Sequence, residues 1–354
     1  MTPQRLRTFA LLMLAALIAS CAPTLQRVGR PGAGFAGPRL EPHAFVSFDG
    51  TRLGLTRWDA DGGAQPWAVI IGVHGMNDYG NAFHMAGPWW AARGVTTLAY
   101  DQRGFGRSPD RGVWAPDALL TEDLRTIVAL ARARWPHALI AVAAESLGGA
   151  VAVEAFASDR PPAADRLILL APAVWGWKEQ PLTYRAALWL AARLAPGKVF
   201  TPPSFVANRI WASDNHEELY AMGRDPLMIW GARSDALYGL VETMQHAQDD
   251  AARLGSTRTL WMYGAHDEII PLAATRSAVR RLPSAVRTAY YPDGWHLLLR
   301  DLHAELVWAD ALAFIRDPAA PLPSGAPPIP LASVQVAAKP PQPRTGAQAA
   351  AVVR

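Results

Sequence analysis

The stretch AVAAESLGGAVAVEAF, residues 141–156, runs an apolar strand into a serine and straight on into a helix of small residues. Two readings of Ser146 stand. In one it is a helix N-cap, a position that serine favours. In the other it sits on a strained turn between strand and helix, with small residues on either side because the two elements pass too closely for larger ones. The demand two positions before the serine is then smallness, which Ala144 meets where G-x-S-x-G has glycine, and Gly148 and Gly149 keep the helix side bare. A helix starting here also directs free N–H groups and the positive end of its dipole at the serine.

Further along the chain, short apolar runs recur without alternation: 67–74, 95–100, 139–144, 166–171, 259–263 and 286–291. Such runs indicate strands buried on both faces, hence a parallel sheet covered by helices. Helical patterns separate them at 82–93, 117–134, 147–158, 272–282 and 301–316. Residues 43–58 alternate around Asp49-Gly50 and predict a hairpin. The fold class expected is α/β, a mostly parallel, doubly wound sheet. About 80 residues between Ala171 and Thr259 form an insertion, read as a helical cap over 173–250 that carries five of the fourteen tryptophans.

The ends differ from the middle. MTPQRLRTFALLMLAALIASC has a basic start and an apolar run too short to span a bilayer, the plan of a secretory signal over 1–20. Ile18-Ala19-Ser20-Cys21 is similar to a bacterial lipobox, which implies lipidation of Cys21, the chain's only cysteine. The expectation is an envelope protein on a lipid anchor, with outer-membrane sorting favoured because Ala22 stands where an Asp would favour the inner membrane. Residues 21–41 read as a flexible tether, and 318–354, with nine of the thirty prolines, as a disordered tail. The α/β domain expected spans 42–317. Net charge is +4 with no run of Lys or Arg, which argues against a nucleic-acid partner. A single cysteine excludes an intrachain disulfide and a cysteine metal cluster.

In an open α/β sheet, ligands sit beyond the carboxyl ends of the strands, where Ser146 falls. A nucleophilic serine needs an imidazole within reach and a carboxylate to orient it. TLWMYGAHDEIIP puts Asp267 after one late strand, and VRTAYYPDGWHLLL puts His296 after the next. His266, His303, Glu268 and Asp293 are the competing groups. The first buried strand ends in HGMND (74–78), whose turn offers the Met76 N–H, with that of Leu147, as an oxyanion hole. His74 reads as turn-stabilising rather than as a base.

Taken together, HGMND, YDQRGFGRS (100–108), ESLGG, GAHDEIIP, GWHLLL and the cap segment MGRDPL (222–227) resemble α/β-hydrolases of the monoacylglycerol lipase and lysophospholipase group, often placed with serine aminopeptidases. The departure is Ala144. The resemblance covers about residues 43–316. It implies a serine ester hydrolase without metal or organic cofactor, acting on a small-molecule lipid or ester, with Asp101 and Arg103 in a structural loop. Aminopeptidase activity would need an acidic pocket, for which Asp214, Glu217 and Glu218 are candidates. A thioesterase, a haloperoxidase-like enzyme and a non-catalytic envelope binding protein complete the alternatives.

Overall fold

All six apolar runs become neighbouring parallel strands. The structure is a computed structural model and describes residues 23–332 apart from 64, 202–208 and 256. In chain order the strands and helices are β1 (Arg39–Leu40), β2 (Ala44–Val46), β3 (Arg52–Trp58), β4 (Ala68–Val73), α1 (Ala86–Ala91), β5 (Val95–Tyr100), α2 (Asp117–Arg134), β6 (Leu139–Glu145), α3 (Leu147–Ala157) and β7 (Arg166–Leu170). The insertion follows with α4 (Leu182–Leu194), β8 (Val199–Phe200), α5 (His216–Arg224), β9 (Ala232–Arg233) and α6 (Ser234–Asp250). The chain then returns through β10 (Arg258–Gly264), α7 (Leu272–Val279), β11 (Arg287–Tyr291) and α8 (Ala304–Arg316). The nine-stranded sheet runs β1-β2-β3-β5-β4-β6-β7-β10-β11. From β5 to β11 every pairing is parallel, and β1 to β3 form the antiparallel edge.

This is the α/β-hydrolase fold. Its core lies on both faces of the sheet: Val69, Ile71, Val142 and Leu169 point to one side with α2, α3 and α6, and Ile70, Ala143, Ile168 and Met262 to the other with α1 and α8. Burial on both faces explains why the runs are continuously apolar. The expected hairpin turns at Gly50, whose φ of 78° suits glycine. The helix expected over 82–93 is shorter, because Pro88 lacks an N–H and belongs in a first turn; a 3-10 turn (Gly80–Phe83) precedes α1.

Three boundaries differ from expectation. The segment read as a tether is docked from Thr24 onward: Gln26 donates to the Val113 carbonyl at 2.7 Å and Gly29 N–H to Asp49 at 2.6 Å. Gly- and Pro-rich sequence disfavours helix, yet an extended chain can still satisfy its donors on a finished surface. Likewise, residues 318–332 are packed, burying Leu322 and Ile329. There the Tyr290 N–H donates to the Pro327 carbonyl at 2.7 Å, and Ile329 N–H to Thr288 Oγ1 at 3.0 Å. A proline-rich strap thus covers the sheet edge at β11, accepting from Tyr290 and donating through Ile329. Finally, α6 is core rather than cap, since Val241, Met244 and Ala247 are buried in the main cluster against α3. The signal, Cys21 and the rest of the tail lie outside the described residues.

Candidate active site

Ser146 joins β6 to α3 with φ 52° and ψ −116°, a left-handed conformation that costs a non-glycine residue about 1–3 kcal/mol. Its side chain makes no capping hydrogen bond, so the N-cap reading fails. Crowding maintains the turn. A Cβ on Gly148 would stand 2.3 Å from the Val73 carbonyl oxygen, and one on Gly75 would stand 3.1 Å from Ser146 Cβ. The loop after β4 therefore passes directly beside the serine. Ala144 is fully buried within β6, where its methyl fits.

Asp267 follows β10 and His296 follows β11. Asp267 Oδ1 accepts from the N–H groups of Ile269 at 2.8 Å and Ile270 at 2.9 Å, which fixes the carboxylate. Its Oδ2 lies 2.9 Å from His296 Nδ1. A carboxylate can only accept, so Nδ1 carries the proton and Nε2 of the neutral ring keeps its lone pair. Burial alone would lower the His296 pKa, but the charges of Asp267 and Glu145 outweigh it against Arg300, and the net shift is upward. The loop is pinned from three sides. Asp301 Oδ2 accepts the Trp295 N–H at 2.8 Å, Leu297 N–H reaches the Ala212 carbonyl at 2.9 Å, and Trp295 stacks on His266. Burial pushes the Asp301 carboxyl up to about 8.

On the other side of Ser146, His74 Nε2 accepts the Gln102 N–H at 2.8 Å while Nδ1 lies 2.7 Å from the Gly75 carbonyl. With both nitrogens engaged and burial holding its pKa down, His74 stays neutral and braces the turn that carries Met76. Among the described residues, neither the Met76 nor the Leu147 N–H donates to another backbone carbonyl. Asp101 accepts from Gly80 N–H and from Arg107, and Arg103 is buried between Asp49 and Asp123, as structural loop residues should be.

The competing groups are placed otherwise. Glu268 accepts the Trp211 N–H at 2.7 Å, and Asp293 and His303 are exposed. Asp214 accepts the Leu302 N–H, Glu218 pairs with His84, and Glu217 is exposed. Metal-type donors come within 4.8 Å of one another at Asp117, Glu154 and His246, two helical turns beyond Ser146 along α3, where Asp117 already binds His246 and Thr243.

Sequence reasoning missed Arg300. It is buried, with Nη2 2.8 Å from both Glu145 Oε1 and Asp78 Oδ2. This guanidinium joins the serine turn, the loop after β4 and the histidine loop. An arginine four residues after the histidine carries no such signal by itself, because its partners are 155 and 222 positions away.

A family profile described as "Serine aminopeptidase, S33" matches residues 64–303. The chain belongs to that family. Solved structures with the same fold accompany this S33 member. A monoacylglycerol lipase from Paleococcus ferrophilus is 17% identical, with a TM-score of 0.58 over 74% of this chain and 98% of that one. A soluble variant of monoglyceride lipase from Saccharomyces cerevisiae is 16% identical, with a TM-score of 0.63 over 83% and 98%. A thermostable carboxyl esterase from Bacillus coagulans is 18% identical, with a TM-score of 0.62 over 77% and 96%.

Proposed function

We propose that this S33 member is a serine ester hydrolase, anchored to a membrane, that cleaves monoacylglycerol- or lysophospholipid-type esters through an acyl-enzyme on Ser146. The observation that carries the chemistry is the Asp267–His296 couple at 2.9 Å, which leaves Nε2 unprotonated at the strand ends that also carry the strained Ser146. In the cycle, Ser146 Oγ attacks the ester carbonyl carbon as His296 Nε2 takes its proton. The Met76 and Leu147 N–H groups bind the oxyanion. Collapse breaks the C–O bond, and the imidazolium returns the proton to the departing alcohol. A water then gives a proton to His296 and its hydroxide to the acyl carbon; collapse breaks the bond to Ser146 Oγ, which takes the proton back from His296 as the acid leaves.

The lipid class is supported by α4, an insertion helix with one buried residue, Ala192, and with Leu182, Tyr184, Trp189, Leu190 and Leu194 all exposed. Exposed apolar side chains of this kind suit substrates that arrive from a lipid surface. The solved lipases and esterases of this fold point the same way. Against the peptidase reading that the family's name invites, Asp214 and Glu218 are already engaged within the protein. Anchoring rests on IASC at residues 18–21.

Fluorophosphonate labelling tests the nucleophile: wild type should label and Ser146→Ala should not. An ester series from acetate to laurate, run beside aminoacyl amides, tests the substrate class. Rates should rise with chain length, each methylene adding ~1 kcal/mol of discrimination until the pocket fills. A flat or falling series, or faster amide cleavage, rules out the lipase reading. Mass spectrometry of the mature N-terminus tests the anchor, and an unmodified terminus there would dispose of it.

A further inference from the structure

Behind Ser146 lies a buried ion cluster to which the acyl-transfer steps assign no role. Glu145 immediately precedes the serine and is 1% exposed. Its Oε1 accepts from Arg300 Nη2 at 2.8 Å, and its Oε2 is sealed from solvent with no hydrogen-bond partner among the described residues. Asp78 Oδ2 lies 2.8 Å from the same Nη2, and Glu218 Oε1, from α5, is 4.0 Å from Nη1. Two deeply buried carboxylates therefore share one guanidinium, with a third at its margin. An apolar replacement for such a cluster is often neutral or stabilising, so stability alone does not account for it. Its members come from the loops that frame the site: Asp78 two residues after Met76, Glu145 one before Ser146, and Arg300 four after His296.

We propose that Glu145 is a positioning residue for the hydrolytic reaction: held by Arg300 and one residue before the nucleophile in the chain, its carboxylate stabilises the His296 imidazolium while the tetrahedral intermediate lasts. The inference rests on the reading of Ser146 and His296 as nucleophile and base. Burial opposes an imidazolium here. Asp267 offsets that from one loop and Glu145 from the serine turn, while Arg300 acts in the opposite sense. A charge already fixed in place costs no reorganisation when the imidazolium forms. Among the described residues, Asp267, Glu145 and Arg300 bear on His296; burial and the Asp78 charge raise the Glu145 pKa above its ordinary value, against Arg300 and His296, which favour the carboxylate. Arg300 also faces Glu218, which holds His84, and the Asp301 carboxyl faces Glu145 and Asp214.

The sign follows directly. A carboxylate near His296 raises its pKa, so removing that charge lowers the pKa and moves the acid limb of kcat/KM to lower pH. The test uses the full chain with Glu145→Gln, which preserves shape and an acceptor for Arg300 and leaves Arg300 paired with Asp78. Ester hydrolysis and fluorophosphonate labelling are each followed against pH. The acid limb should move down by ~1 pH unit, and kcat should fall roughly tenfold with KM little changed. Glu145→Asp, which keeps the charge, should hold the limb close to its wild-type position. A Gln variant with the wild-type limb, or an Asp variant whose limb itself moves down by ~1 pH unit, overturns the proposal; either result stands even if the other variant fails to fold. Ser146→Ala separates the two levels. If it still labels, the site reading itself is wrong; if it does not and the Gln limb is unmoved, only the role of Glu145 falls.

Discussion

Asp267→Asn should disable the enzyme without disturbing its fold, for a reason set by two hydrogen bonds. Asp267 Oδ1 accepts from the N–H groups of Ile269 and Ile270, so in the variant the amide oxygen must take that place. The amide NH2 then faces His296 Nδ1, where the carboxylate oxygen now stands at 2.9 Å. An NH2 cannot accept, so the imidazole must expose its Nδ1 lone pair and carry the proton on Nε2. That tautomer cannot take the Ser146 proton. The imidazolium also loses its adjacent negative charge. For a histidine held in the wrong tautomer the expected loss is on the order of 10⁴ in kcat, about 5 kcal/mol of transition-state stabilisation. KM should change little, because Asp267 contacts His296 rather than substrate in this scheme. The assay is steady-state hydrolysis of a p-nitrophenyl ester, with circular dichroism to verify folding. A folded Asn variant that keeps more than about 1% of wild-type kcat would refute the reasoning, because an orienting carboxylate cannot be replaced so cheaply.

Other perturbations test the frame around the site. Arg103→Met leaves Asp49 and Asp123 buried without their common cation; it should lower stability by about 3–5 kcal/mol in urea unfolding, and a loss below 1 kcal/mol would show that the triad is dispensable. Gly148→Ala drives a methyl to 2.3 Å from the Val73 carbonyl oxygen, so α3 must move off β4 and activity should fall at least tenfold; unchanged kcat in a folded variant would contradict that. Burial, together with the charges of Asp117 and Asp250, pushes the Glu154 carboxyl up to about 9. The folded state therefore binds a proton that the unfolded state has released between pH 4.5 and 9, and stability falls as pH rises through that window. Glu154→Gln should raise the melting temperature more at pH 9 than at pH 6, whereas a gain that is equal at both would show that the group does not titrate there.

What the sequence by itself determined was local. Burial on both faces imprints itself on consecutive residues, so the six parallel strands are readable as apolar runs to within a residue or two. The turn at Ser146, the hairpin at Gly50 and the loops carrying Asp267 and His296 are legible because backbone geometry and strand ends restrict the residues that occupy them. Composition, however, reports only what a segment cannot form alone. Residues 24–41 and 318–332 look unstructured in isolation, yet lie along surfaces that exist only once the sheet has formed. The same limit applies to α6, whose amphipathic pattern fits a cap as well as a core helix until α3 is there to receive it. The charged residues depend most on tertiary structure. Whether Glu218 serves an amine pocket or an internal ion pair, and whether Arg300 is a surface arginine or the buried link between three loops, depends on which distant carboxylates the fold brings within about 3–4 Å. Electrostatic energy follows distance in space, and separation along the chain does not encode it.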